Sequence, residues 1–282
     1  MNAPHRAKKS LGQNFLTDPA IQQRIAESID PQPEDTVIEI GPGQGALTRH
    51  LQGRVRRLVL IELDNDLAPA LSQEYAGRSD VEVIHADVLT VDLCAVARGG
   101  RYKVVGNIPY NITTPIMFKL LEPGCRPAVI VLMVQKELAE RVISGPGNKT
   151  YGALSVGVQA VADVQRLFNV RRGAFNPVPN VDSAVIRITP HEPPALSAQE
   201  ETDLRTLSRT SFGWRRKQLQ KILRSAPQYG LDPDAVANVQ TVAGIASDAR
   251  PETLSPAQFI LLARILRHHG LPITSEDSSD WD

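Results

Sequence analysis

Thr36-Val37-Ile38-Glu39-Ile40-Gly41-Pro42-Gly43-Gln44-Gly45 is the stretch on which the fold of this 282-residue chain turns. Five residues with β-branched character read as a short strand, three glycines two apart read as a turn, and Ala46 to Leu51 resumes as helix. A strand that runs through glycines into a helix lets the backbone approach a ligand closely and aims helix N-terminal amides at it. The spacing is GxGxG, without the third glycine of the dinucleotide fingerprint, so a plain tight turn stays open as a reading at this point.

Working outward, Leu58 to Ile61, Val81 to His85, Lys103 to Gly106 and Ala128 to Val134 repeat the short β-branched pattern. Most of these runs are continuously apolar, as strands buried on both faces should be. Helical stretches separate them: Asn65 to Tyr75, Thr114 to Leu121 and Gln135 to Ile143. Ahead of the first strand, Asp18-Pro19 opens a helix over Ile21 to Ile29. Such alternation predicts an α/β fold with a doubly wound, mostly parallel sheet. Tyr151 to Ala162 reads as a helix, and Val164 to Val170 with Ser183 to Thr189 as a hairpin-like pair at one sheet edge. Past Pro193-Pro194 the pattern changes, and Ala198 to Arg224, Asp232 to Val239 and Ser255 to Arg267 read as helices without strands. The expected division is a sheet domain with an amino-terminal arm over 1–192, a small all-α domain over 193–272, and an acidic, disordered tail over 273–282.

The 31 basic and 31 acidic residues cancel, but not locally. Arg205, Arg209, Arg215, Arg216, Lys217, Lys221 and Arg224 fall in a stretch with no acid, and Glu276, Asp277, Asp280 and Asp282 crowd the last residues. Cys94 and Cys125 lack CxxC spacing, which argues against a disulfide framework and a zinc site and fits a reducing cytosol. Met1 to Ser10 is polar and basic, and no run approaches the roughly 20 apolar residues of a membrane span, so the expectation is a cytoplasmic protein without membrane or metal.

The chemistry sits at successive strand ends. Glu62 closes the second strand about twenty residues beyond the glycine turn, where a carboxylate accepts both hydroxyls of an adenosine ribose. Asp87 closes the third strand, placed to receive an adenine amino group, with the Val88 amide beside it. Asn107-Ile108-Pro109-Tyr110 ends the fourth. Hydride transfer has no use for an amide-Pro-aromatic sequence there, whereas methylation of a planar amine needs acceptors for its N–H groups and a wall for its ring. The set favours a methyl donor over a nicotinamide.

Several segments in one order resemble the ribosomal RNA adenine N6-dimethyltransferases: Lys9-Ser10-Leu11-Gly12-Gln13-Asn14-Phe15-Leu16, GPGQGALT from Gly41, IELD from Ile61, NIPYNITTPI from Asn107, QKELAERV from Gln135, and Phe175-Asn176-Pro177-Val178-Pro179-Asn180-Val181-Asp182-Ser183. The likeness runs from about residue 8 to at least 224 and is nearest to the branch acting on 16S rRNA. The discriminating segments are Tyr151-Gly152-Ala153-Leu154-Ser155-Val156 and Arg215-Arg216-Lys217-Gln218-Leu219; Gly213-Trp214 departs from the polar pair common in the family. The resemblance implies a Rossmann-like class I methyltransferase using S-adenosyl-L-methionine. Asn14, Leu16, Gly41, Gly43, Glu62, Asp87, Val88 and Asn107 would hold the donor, and Asn107, Ile108, Pro109, Tyr110 and Phe175 the target base. Arg215, Arg216, Lys217, Lys221 and Arg224 would grip RNA within three helical turns, with Lys8, Lys9, Arg171 and Arg172 adding to the rim. It implies a monomer whose partner is the small ribosomal subunit. A large-subunit enzyme of the macrolide-resistance type and a non-catalytic assembly factor remain as alternatives.

Overall fold

In the computed structural model, which describes residues 7–214 and 217–268, the apolar runs become strands where the pattern requires it. In chain order these are β1 (Phe15–Leu16), β2 (Thr36–Ile40), β3 (Arg57–Glu62), β4 (Val81–His85), β5 (Lys103–Asn107), β6 (Val129–Gln135), β7 (Ala162–Val170), β8 (Phe175–Asn176) and β9 (Ser183–Pro190). The helices are α1 (Pro19–Ser28), α2 (Thr48–Leu51), α3 (Leu67–Glu74), α4 (Leu93–Val96), α5 (Thr113–Leu120), α6 (Lys136–Ile143), α7 (Ala153–Gln159), α8 (Ala198–Gly213), α9 (Leu219–Ser225), α10 (Pro233–Val242) and α11 (Pro256–His268).

Seven strands join in the order β4-β3-β2-β5-β6-β9-β7. The first five are parallel, and β9 runs antiparallel to β6. Every residue of β2 is buried, as a central strand covered on both faces demands. From β2 the chain winds outward to β3 and β4, then returns to the other side of β2 as β5. That reversal opens a crevice at the carboxyl ends of β2 and β5, where ligands bind in sheets of this type. The helix before β2 starts where the sequence places it: the Asp18 carboxylate accepts from the Ala20 and Ile21 amides at 3.0 and 3.2 Å, with Pro19 in the first turn. Its Gln22, Ile25 and Ala26 share the buried face.

The chain divides into two compact units. One takes the residues up to Ala139 together with Val164–Pro190, the other Glu140–Asp163 together with the residues from His191 onward. Residues 140–163, which the sequence pattern groups with the sheet, thus belong to the helical unit. There α7 and α11 pack on α8, the Tyr151 hydroxyl donates to the Leu254 carbonyl at 2.8 Å, and the rings of Tyr151, Phe212 and Phe259 form a row with centroids 5.7 and 5.8 Å apart. A reciprocal cap between Ser197 and Glu200 starts α8. Glu200 and Asp203 on α8 then pair with Arg264 and Arg267 of α11.

Three expectations need correction, and some elements are new. The helix read over Tyr151 to Ala162 is confined to Ala153–Gln159, and Ala162 already begins β7. The helix read from Ala198 to Arg224 breaks after Gly213 and restarts at Leu219, since glycine costs a helix interior about 1 kcal/mol relative to alanine. Three elements went unread: α4, and β1 and β8, which pair in a ladder. Finally, Cys94 and Cys125 form a disulfide. Their 31-residue separation gives no hint that α4 and the turn before β6 approach to a Cα distance of 5.8 Å. The expected acidic tail lies outside the described residues.

Candidate active site

A cavity of about 520 Å³ occupies the carboxyl ends of β2 to β5, walled on one side by Ser10–Thr17 of the arm. Asn14, Leu16, Gly41, Gly43, Glu62, Asp87, Val88, Asn107, Ile108, Pro109 and Tyr110, all assigned from sequence, line this one space. The glycine turn earns its composition: Gly41 and Gly43 have φ of +64° and +59°, left-handed values that suit residues without a side chain. A Cβ on Gly43 would also press on the Phe15 ring at 3.2 Å.

Glu62 is 6% exposed, and its two oxygens accept from the Gly43 and Asp64 amides, each at 2.9 Å. A carboxylate oxygen has a second lone pair, so this bonding fixes the group and leaves it able to receive hydroxyls. Asp87 is oriented by the Leu89 amide at 2.9 Å. Two further acids were missed. Glu39 lines the cavity and accepts from the Thr48 hydroxyl at 2.7 Å; burial pushes its carboxyl up to about 7, against the pull of that bond. The signal was an acid inside an apolar strand. Asp64, fully buried, accepts from Lys8 Nζ at 2.7 Å and Gln13 Nε2 at 2.6 Å. Burial works against its ionisation, but those bonds and the Asp66 and Leu67 amides outweigh it and bring the group down to about 2. Lys8 also meets Asp66 at 2.6 Å, so it is engaged inward, whereas Lys9, Arg171 and Arg172 are exposed.

On β5, Gly106 stands opposite Ile40, and a Cβ there would lie 2.7 Å from the Ile40 carbonyl oxygen. Only glycine lets β5 approach β2 closely enough to bring Asn107 beside the turn, and the carbonyl of Asn107 would stand 3.8 Å from a Cβ on Gly41. Asn107 Nδ2 donates to the Asn14 carbonyl at 3.1 Å, which sets the amide plane and keeps Oδ1 as its acceptor. Tyr110 is half-buried, its hydroxyl 2.7 Å from Ser183 Oγ, and burial raises its pKa, keeping the ring a neutral phenol. Phe175 does not join them. It is 3% exposed in the hydrophobic core, is paired with Leu16 across the β1–β8 ladder, and lies outside the cavity wall.

In the helical unit Lys217, Lys221 and Arg224 are exposed; Arg215 and Arg216 lie outside the described residues. Lys221 and Arg224 share α9, and Lys217 precedes it. Among the described residues no helix is long and apolar enough to cross a membrane, and no three His, Cys, Asp or Glu side chains converge on a point that would hold a metal ion.

A switch-point crevice with a glycine turn, a fixed buried carboxylate on the neighbouring strand and an amide-Pro-aromatic lip defines a class I methyltransferase. Known proteins place it more narrowly: a family model for ribosomal RNA adenine dimethylase matches residues 4–268, and the chain belongs to that family. It is 43% identical over 268 residues to ribosomal RNA small subunit methyltransferase A of Geobacter metallireducens, covering 94% of this chain and 97% of that one. It is 42% identical over 271 residues to the protein of the same name from Pseudomonas fluorescens, covering 96% and 97%. Among solved structures, a dimethyladenosine transferase from Plasmodium falciparum superposes with a TM-score of 0.77 at 25% identity, covering 91% of this chain and 98% of that one. The 23S rRNA methyltransferase ErmE gives 0.70 at 29%, covering 90% and 100%. The methyl donor of the class is S-adenosylmethionine. The side-chain-free turn and the fixed carboxylate of Glu62 fit it, and the nicotinamide reading falls away.

Proposed function

We propose that this chain transfers methyl groups to the N6 amines of two adjacent adenosines in the terminal hairpin loop of small-subunit (16S) rRNA, two to each, during ribosome biogenesis in the cytoplasm. The small-subunit assignment is supported by 42–43% identity to enzymes of that name, against 29% to the 23S enzyme. The chemistry rests on one observation above all: the Asn107 amide is locked by its bond to Asn14, in the wall of a cavity that the glycine turn also lines.

In this reading Glu62 receives the ribose hydroxyls of the donor, Asp87 and the Val88 amide its adenine, and Gly41, Gly43, Asn14 and Leu16 enclose it. When bound, S-adenosylmethionine supplies a methyl group on a sulfonium that departs as a neutral thioether. The adenine amine is a poor nucleophile because its lone pair is delocalised into the ring. Asn107 Oδ1 and the Ile108 carbonyl accept its N–H groups, favouring a pyramidal nitrogen aimed at the methyl carbon. Positioning of this kind lowers the barrier without a general base, since the methylated cation loses its proton readily to water. Pro109 stiffens the lip and Tyr110 stacks on the base, a contact worth about 1–3 kcal/mol. Phe175, placed in the core, supports the arm rather than the base. Target bases leave their stack most cheaply in a loop. Lys217, Lys221 and Arg224, with Arg215 and Arg216 from the same segment, hold phosphates of the surrounding RNA, and the protein works as a monomer.

The test is to incubate the protein with labelled S-adenosylmethionine and, separately, small and large subunits lacking native adenine methylation, then digest the RNA. N6,N6-dimethyladenosine from the small subunit's terminal loop supports the reading. Label in large-subunit RNA moves the chain to the resistance branch. Donor binding with no label in either favours an assembly factor.

A further inference from the structure

The amino-terminal arm is attached in two different ways, and the difference divides it. Its second half is built into the sheet unit by backbone bonds. Phe15 and Leu16 pair with Asn176 and Phe175, the Thr17 amide and hydroxyl both donate to the Ala174 carbonyl at 2.8 and 3.0 Å, and Gln22 Nε2 donates to the Leu16 carbonyl at 2.7 Å. In the first half, the Leu11, Gly12 and Gln13 amides donate back to Lys8 and Lys9 carbonyls, making a small self-contained turn. That turn is fastened by side chains. Lys8 Nζ reaches Asp64 at 2.7 Å and Asp66 at 2.6 Å, Gln13 Nε2 reaches Asp64 at 2.6 Å, and Gln13 Oε1 accepts from the Lys8 amide at 2.8 Å. Gly12, at φ +61°, lies inside this turn and lets it close on itself.

Asp64 is well suited to be the fixed side of such a fastening. It is fully buried, its carboxylate also accepts from the Asp66 amide at 2.8 Å, and its own amide donates to Glu62 at 2.9 Å. One chain of bonds therefore runs from Lys8 through Asp64 to the Glu62 carboxylate assigned to the donor's ribose. Residues 10–14 of the fastened half are part of the cavity wall.

Dimethylation of one nitrogen consumes two donor molecules, so the spent donor has to leave before the second transfer, and this wall is one side of the cavity it leaves. Resting on the methyltransferase reading above, we propose that Lys8, Gln13 and Asp64 form a latch whose opening sets the rate at which the spent donor escapes. These are positioning residues: they hold the wall, and the sheet-bound half of the arm stays in place when they let go.

The experiment uses the full chain and S-adenosylhomocysteine as the probe. Its dissociation rate is measured by stopped-flow displacement, and amide hydrogen exchange is followed across the arm. Lys8→Met should speed release about fivefold, the scale of losing one favourable ion pair, and should raise exchange in residues 9–13 while leaving β2 and β5 unchanged. Asp64→Asn should release faster still, and Lys8→Arg should restore the slow rate. Lys8 is partly exposed, so its variants test the latch even where Asp64→Asn fails to fold. Normal binding with unchanged release in Lys8→Met overturns the latch alone. A wild-type protein that binds neither S-adenosylmethionine nor its product overturns the methyltransferase reading and the latch with it.

Discussion

The sheet unit and the helical unit meet their assigned ligands by opposite means. Around the cavity, position is dictated by backbone: strand ends, left-handed glycines and carboxylates pinned by main-chain amides leave little freedom for any group assigned to the donor or the amine. In the helical unit, the assigned cations Lys217, Lys221 and Arg224 are exposed, on or just before a two-turn helix that buries Leu219, Ile222 and Leu223. A methyl transfer tolerates errors of a fraction of an ångström, and a polyanion tolerates much more, because counterion release depends on how many phosphates are neutralised rather than on exact contacts. The contrast predicts that damage to the first unit will appear in chemistry and damage to the second in stability and salt dependence.

The largest effect that could break this contrast is at Asn107. Asn107→Ala should cut single-turnover methylation by about a thousandfold, the scale of losing one positioned transition-state partner, with donor affinity by calorimetry within about threefold of wild type. Equal loss of both would make Asn107 a donor ligand and nothing more. Next is Phe259→Ala, which removes a fully buried ring from the helical unit and should cost about 3–5 kcal/mol in chemical denaturation. Donor affinity at low temperature should survive it.

Glu39 sharpens the comparison through pH. Its carboxyl titrates near 7 folded against 4.5 as the ordinary value, so between those limits the folded chain keeps a proton that the unfolded chain has released. Stability from this group is therefore lost as pH rises from 4.5 to 7, by up to about 3 kcal/mol above that window. Glu39→Gln should raise the melting temperature at pH 8, leave it little changed at pH 4.5, and flatten the profile between; denaturation scans across that range decide it. The smallest effect belongs to the basic segment. Reversing Lys217, Lys221 and Arg224 to Glu should weaken binding to small subunits about tenfold or more at physiological salt and flatten the salt slope, with no change in donor affinity.

Legibility in the sequence follows the same division. β2 and β4 have the bounds that their β-branched patterns predict, and β3, β5 and β6 differ by a residue at one or both ends, because continuous apolar runs leave little choice of register. Glu62, Asp87 and Asn107 were readable because strand ends in a doubly wound sheet converge by topology. Asp64 was not: its role depends on Lys8 and Gln13 arriving from more than fifty residues away. The burial of Phe175 in the core was not readable either, since its two-residue ladder with Leu16 is too short to leave a pattern. Helical periodicity carried α8 past its end because one glycine interrupts a rhythm that otherwise continues.

The Cys94–Cys125 bond closes a covalent ring around β5, the Asn107–Tyr110 lip and α5. Held by its two ends and stretched mechanically, the oxidised molecule could not pay out the chain inside that ring. Its fully extended length would fall short of the reduced molecule's by roughly 100 Å, at about 3.3–3.6 Å per residue, and the segment assigned to the target amine would be the last part of the sheet still tied to itself.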